Sequence, residues 1–72
     1  MTQDISTKCI ELNIFLGKLG LARTGGQAKV IIRLGEVKVN GAVETKNKRK
    51  LHKGDVVEYQ NKQYPVPDEY LR

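Results

Sequence analysis

Side chains able to carry out chemistry are few in this sequence and stand far apart. Nucleophilic or acid–base catalysis needs a nucleophile beside a base, two carboxylates held close together, or a metal. The 72 residues contain one cysteine, Cys9, one histidine, His52, and eight carboxylates scattered from Asp4 to Glu69. A zinc cage takes about four protein ligands, and one Cys with one His cannot build it. No catalytic residue, no metal site and no cofactor is therefore expected. His52, between Leu51 and Lys53, reads as a spacer beside a turn, and Cys9 as a small buried hydrophobe. Gly25-Gly26 matches neither the dinucleotide fingerprint nor the P-loop spacing. The free N–H groups of a helix start can nevertheless hold a phosphate, including one in a nucleic-acid backbone.

What the chain does concentrate is positive charge. Its net charge is +5, from 13 basic and 8 acidic residues, and the distribution is polarised. Lys18 to Lys53 holds Lys18, Arg23, Lys29, Arg33, Lys38, Lys46, Lys48, Arg49, Lys50 and Lys53 against Glu36 and Glu44, a local charge of +8. The remainder sums to −3. A segregated field of this sign gathers polyanions and steers their approach. The plain alternative is a solvated lysine-rich surface.

These charges need elements to carry them. Leu12, Phe15, Leu16 and Leu19 recur at the spacing of one helix face, and Gly20 can end that helix in a left-handed cap over which Leu21 folds back. Thr24-Gly25-Gly26-Gln27 has the form of a capping box and predicts a second helix start. In it Ala28, Ile31 and Ile32 share one face while Lys29 and Arg33 lie a turn apart on the other, and Leu34-Gly35 closes it. The result is a helix-turn-helix pair joined by about four residues that include Gly25 and Gly26. The period then changes to two: Val37 and Val39 alternate with Glu36 and Lys38, Asn40-Gly41 gives a hairpin signal, and Ala42-Val43 returns. Thr45 to Lys50 reads as an exposed basic loop anchored by Leu51, Lys53-Gly54-Asp55 as a turn, and Val56 to Tyr59 as a strand. Gln60-Asn61-Lys62 is a further turn. Gln63, Tyr64 and Val66 form a closing strand that Pro65 confines to an edge. Thr7 to Leu12 reads as a short N-terminal strand, with apolar alternation at Cys9 and, before it, at Ile5.

This order of elements resembles the RNA-binding domain named after ribosomal protein S4, also called the alpha-L motif. The likeness rests on Leu19-Gly20-Leu21-Ala22, Ala28-Lys29-Val30-Ile31, Gly35-Glu36-Val37-Lys38-Val39-Asn40-Gly41 and Lys53-Gly54-Asp55-Val56-Val57, spanning about residues 11 to 59. Thr24 to Lys29, and Val43-Glu44-Thr45 leading into a basic run, are similar to the short stand-alone bacterial subgroup of YbcJ and YaaA type. Two departures stand out. Glu11-Leu12-Asn13 replaces the family's usual Arg-Leu-Asp, and Gly25-Gly26 replaces two basic residues at the second helix start, so weight shifts to the charges at 46–50. The resemblance implies binding of structured RNA, commonly in or near ribosomal RNA, without chemistry.

The expected architecture is α+β: two helices packed on a small, mainly antiparallel sheet, with core Leu12, Phe15, Leu16, Leu19, Ala28, Ile31, Ile32, Val37, Val39, Val56 and Val57. Residues 1–10 are read as an extension or short strand, 11–66 as the S4-like RNA-binding domain, and 67–72 as a frayed tail. RNA duplexes are recognised by shape and phosphate. Tyr59, Tyr64 and Tyr70 fall outside the basic segment, so no stacking platform for single strands is expected. The expected RNA contacts are Arg23, Thr24, Gln27, Lys29, Arg33, Lys38 and Asn40, with Lys46, Lys48, Arg49 and Lys50 as a clamp. The partner is structured RNA, with ribosomal RNA or a ribosomal particle as the named case, bound by a monomer. No apolar run longer than Val30-Ile31-Ile32 approaches the ~18 residues of a membrane span. With a free thiol and no secretory pattern, a cytoplasmic location is expected. Two rivals are a DNA-binding helix-turn-helix protein, disfavoured by a second helix without a row of base-reading Arg, Asn or Gln, and an adaptor whose basic face meets an acidic protein.

Overall fold

A computed structural model describes residues 8–71. Strand β1 (Ile10–Glu11) runs straight into helix α1 (Leu12–Lys18), and α2 (Gly25–Arg33) follows. Then come β2 (Val37–Val39), β3 (Ala42–Val43), β4 (Lys50–Leu51), β5 (Val56–Tyr59), β6 (Lys62–Pro65) and a 3₁₀ turn, Asp68–Tyr70. The α+β expectation holds, with the strands divided between two antiparallel sheets: a β1–β4 ribbon and a four-stranded sheet in the order β3-β2-β5-β6. The N-terminal strand is confined to Ile10–Glu11, opposite Leu51 and Lys50, while Ile5 and Thr7 lie outside the described residues. No helix is long and apolar enough to cross a membrane among the described residues.

Both helices end as their glycines predict. Gly20 and Gly35 each take φ +78°, and the N–H groups of Leu21 and Glu36 reach back to the carbonyls of Leu16 and Ile31. This is the Schellman closure, in which a left-handed residue lets the chain turn back over the last carbonyls. Asn40-Gly41 and Gln60-Asn61 have positive φ at both positions, matching the twist of the hairpins they close.

One core joins the layers. Phe15, Leu12 and Leu16 of α1, Ala28 and Ile32 of α2, and Val37, Leu51 and Val57 of the strands are fully excluded from water. Emptying such a site by Phe15→Ala costs roughly 3–5 kcal/mol. Leu19 and Val56 are only half-buried, and Ile10, Ala22, Ile31, Val39, Val66 and Leu71 complete the core. The expectation of a frayed 67–72 tail is corrected for the described part: Leu71 is 8% exposed and the Tyr70 ring meets Phe15 edge-on at 5.9 Å. Two apolar side chains outweigh the polar Pro67-Asp68-Glu69 that precedes them, an aromatic pair alone adding about 0.5–1.5 kcal/mol.

Candidate nucleic-acid interface

Helix α1 begins without a side-chain cap at Glu11, so its first N–H groups need partners from elsewhere. The basic loop supplies them: Leu12 N–H donates to the Arg49 carbonyl at 2.8 Å and Asn13 N–H to the Asn47 carbonyl at 3.1 Å. A second brace lies within the loop. The Glu44 carboxylate accepts from Lys46 N–H through one oxygen (3.0 Å) and from the Arg49 guanidinium through the other (2.6 Å). The Arg49 guanidinium, followed by the Lys46 N–H, holds the Glu44 carboxyl below its ordinary range. The loop is therefore shaped from both ends, with Lys46, Lys48 and Lys50 exposed and in no ion pair among the described residues. Two expectations change. Arg49 is half-buried and paired rather than a free clamp, and Lys50 lies in β4 rather than in the loop.

The second basic element is the outer side of α2. Thr24 caps it, its hydroxyl accepting from Gln27 N–H at 3.1 Å. The Gln27 side chain reaches past the cap to accept from Arg23 N–H at 2.7 Å, one residue earlier than a standard capping box. Gly25 and Gly26 form the first turn of α2 instead of the connection, which is residues 19–24. Neither has positive φ, and a Cβ at Gly25 would meet nothing within 4 Å while one at Gly26 would touch only the Thr24 hydroxyl at 3.8 Å. The fold does not require glycine at either position. Arg23, Lys29 and Arg33 are exposed, but so are Val30 and Leu34, and the outer face is mixed rather than uniformly basic.

The remaining expected residues sit apart. Val37 and Val39 face the helices, so alternation places Lys38 on the opposite side of the sheet, in register with Glu58 of β5. Lys38 does not join Lys29 and Arg33. Asn40 is occupied internally: its amide donates to Asp55 at 3.0 Å and accepts from Val56 N–H at 2.9 Å. Asp55 also accepts from His52 N–H at 2.8 Å. Partial burial pushes the Asp55 carboxyl up, but the Asn40 amide and His52 N–H outweigh it and hold the group below its ordinary range. Asn40 thus bolts the β2–β3 turn to the β4–β5 turn.

The sequence profile of the S4 domain matches residues 3–67, nearly the whole chain. This chain belongs to the S4 domain family. Over 50 residues it is 42% identical to the Escherichia coli (strain K12) protein named "Putative RNA-binding protein YbcJ", covering 69% of this chain and 71% of that one. The Shigella flexneri protein named "Uncharacterized protein YbcJ" matches to the same extent.

In this S4 domain the sequence reading missed two relations. The Glu44–Arg49 brace spans a loop with no regular period to reveal it. Tyr70, remote from the basic segment along the chain, stands beside it in space, with the Lys18 ammonium 5.6 Å from its ring centre. Cys9, expected to be buried, is partly exposed.

Proposed function

We propose that this S4 domain binds structured RNA, ribosomal RNA being the named case, as a cytoplasmic monomer and without performing chemistry. The observation that carries the reading is the β3–β4 segment: Lys46 and Lys48 exposed in the loop and Lys50 exposed at the start of β4, on a backbone fixed by hydrogen bonds to the start of α1. A pre-shaped cationic ridge matches a rigid array of phosphates and loses little freedom on binding. The outer face of α2, with Arg23, Lys29 and Arg33, extends the positive surface, while Thr24 and Gln27 act by shaping its N-terminus. Asn40 serves the fold in this reading, and Lys38 lies on the face of the sheet away from α2. Support also comes from the relative named for RNA binding.

The test is titration of a folded RNA hairpin against duplex DNA of equal length over a salt series. If about five phosphates are neutralised, affinity for RNA should fall on the order of 100-fold between roughly 50 and 200 mM salt. Salt-independent binding would overturn the electrostatic reading. Equal or tighter binding of duplex DNA would favour the helix-turn-helix alternative.

A further inference from the structure

A groove of about 380 Å³ runs along the outer side of α1, close to the lower end of the ~300–1,000 Å³ range of small-molecule sites. Its apolar walls are Ile10, Ile14 and the ring of Tyr70. Ile14 is 47% exposed and turns its apolar side chain to this groove, while the other face of its helix fills the core. Lys18 and Lys50 are the basic members of the lining and Glu11 the acidic one. Lys50 also belongs to the basic run of the β3–β4 loop, so the groove continues directly from the proposed RNA surface.

We propose that this groove receives a single unpaired base of the bound RNA, a proposal that rests on the RNA-binding reading above. A base has two apolar faces and a polar edge, and the lining divides in the same way. Its faces meet Ile14 and Tyr70, whose ring is held edge-on by Phe15, and the Lys18 ammonium that lies 5.6 Å from that ring centre is displaced from it to a flanking phosphate. The flanking phosphates meet Lys18 and Lys50, while the Glu11 carboxylate accepts from an amino or imino N–H on the base edge. That carboxylate repels a phosphate, so it selects against the backbone entering the groove. A splayed base is how RNA presents sequence to a protein when its duplex grooves conceal it. The protein would then hold a stem by its phosphates and recognise an interruption in that stem through the groove.

Cys9 lines the same groove and is the chain's only thiol, which provides a built-in reporter. The experiment compares a hairpin RNA carrying one unpaired purine in its stem with the same stem fully paired. Binding constants are measured together with the rate at which uncharged iodoacetamide alkylates Cys9 in the full chain. The unpaired-base RNA should bind about ten-fold more tightly, the scale of one buried base contact, and should slow alkylation about ten-fold at saturation; the paired stem should slow it less than about two-fold. Ile14→Gln, neutral and of similar size on an exposed position, should abolish the preference without weakening binding of the paired stem, and Ile14→Leu should retain it. Equal affinities with equal alkylation rates, or a preference that survives Ile14→Gln, would overturn the groove assignment while leaving the RNA reading intact. Failure of both RNAs to bind would overturn both.

Discussion

Two neighbouring loops of this S4 domain each contain one organising carboxylate, and they use it differently. In the β3–β4 loop Glu44 is satisfied by Arg49 and by Lys46 N–H, which removes one cation from the surface and leaves Lys46 and Lys48 projecting, with Lys50 exposed just beyond them in β4. In the β4–β5 turn Asp55 is satisfied by the Asn40 amide and His52 N–H, with the His52 imidazole 3.9 Å away. The first carboxylate shapes a charged surface; the second fastens two turns of the sheet together. Two carboxylates that look scattered along the chain, Glu44 and Asp55, are therefore internal braces, and the charge available to a ligand cannot be counted from composition alone.

The contrast is sharpest if the exposed lysines are removed. Lys46→Ala, Lys48→Ala and Lys50→Ala together should lower RNA affinity on the order of 100-fold at low salt and flatten the salt slope by about two to three contacts. Stability should shift by less than about 0.5 kcal/mol, read from urea unfolding. If this triple variant binds normally, the ridge is only a solvated surface.

The β4–β5 turn should respond the opposite way. Asn40→Ala removes both amide bonds and places a Cβ-bearing residue without local polar support at φ 53°, so unfolding should become easier by about 2–3 kcal/mol. RNA affinity of the folded fraction should be unchanged. A binding loss exceeding what the unfolded fraction accounts for would return Asn40 to the interface.

Arg49→Ala tests the first brace. Its guanidinium side chain is 38% exposed, so screening limits the direct cost to under about 1 kcal/mol. RNA affinity should fall less than for any of the three lysines, unless loop shape matters more than charge, in which case Arg49→Lys should restore little.

Acid should loosen both loops. Glu44 and Asp55 have folded-state values below their ordinary ones, so the stability they contribute is present above the unfolded values and is lost as pH falls through the folded ones. Thermal midpoints should drop below about pH 4, and Glu44→Gln or Asp55→Asn should each make that dependence shallower.

The smallest effect concerns glycines. Gly25→Ala and Gly17→Ala both fall at open helical positions and should each stabilise by roughly 0.5–1 kcal/mol. Only the α2 variant should weaken RNA binding, if the first turn of that helix meets the ligand.

The parts legible in the sequence are those fixed within a few residues of themselves. The 12-15-16-19 spacing, the Thr24 cap, Gly20, Gly35 and the Asn40-Gly41 turn each express local geometry, and each occurs where its pattern places it. The β1–β4 ribbon, the tail packed on Phe15 and the two carboxylate braces depend on residues brought together only by folding. For the candidate site the sequence shows where charge accumulates but not its arrangement: the Glu44–Arg49 pair, the place of Lys38 on the sheet face away from the helices, and the bonds of Asn40 to Asp55 and Val56 all depend on the fold.

Helix α1 is seven residues long, too short to persist alone, and its opening N–H groups are completed by carbonyls at positions 47 and 49. During synthesis, therefore, helix α1 emerges ahead of the loop whose carbonyls complete its first turn, and is secured only once that loop has followed. Helix and lysine ridge become ordered in the same event. A chain that stops short of residue 49 therefore lacks the brace on which the proposed RNA surface rests.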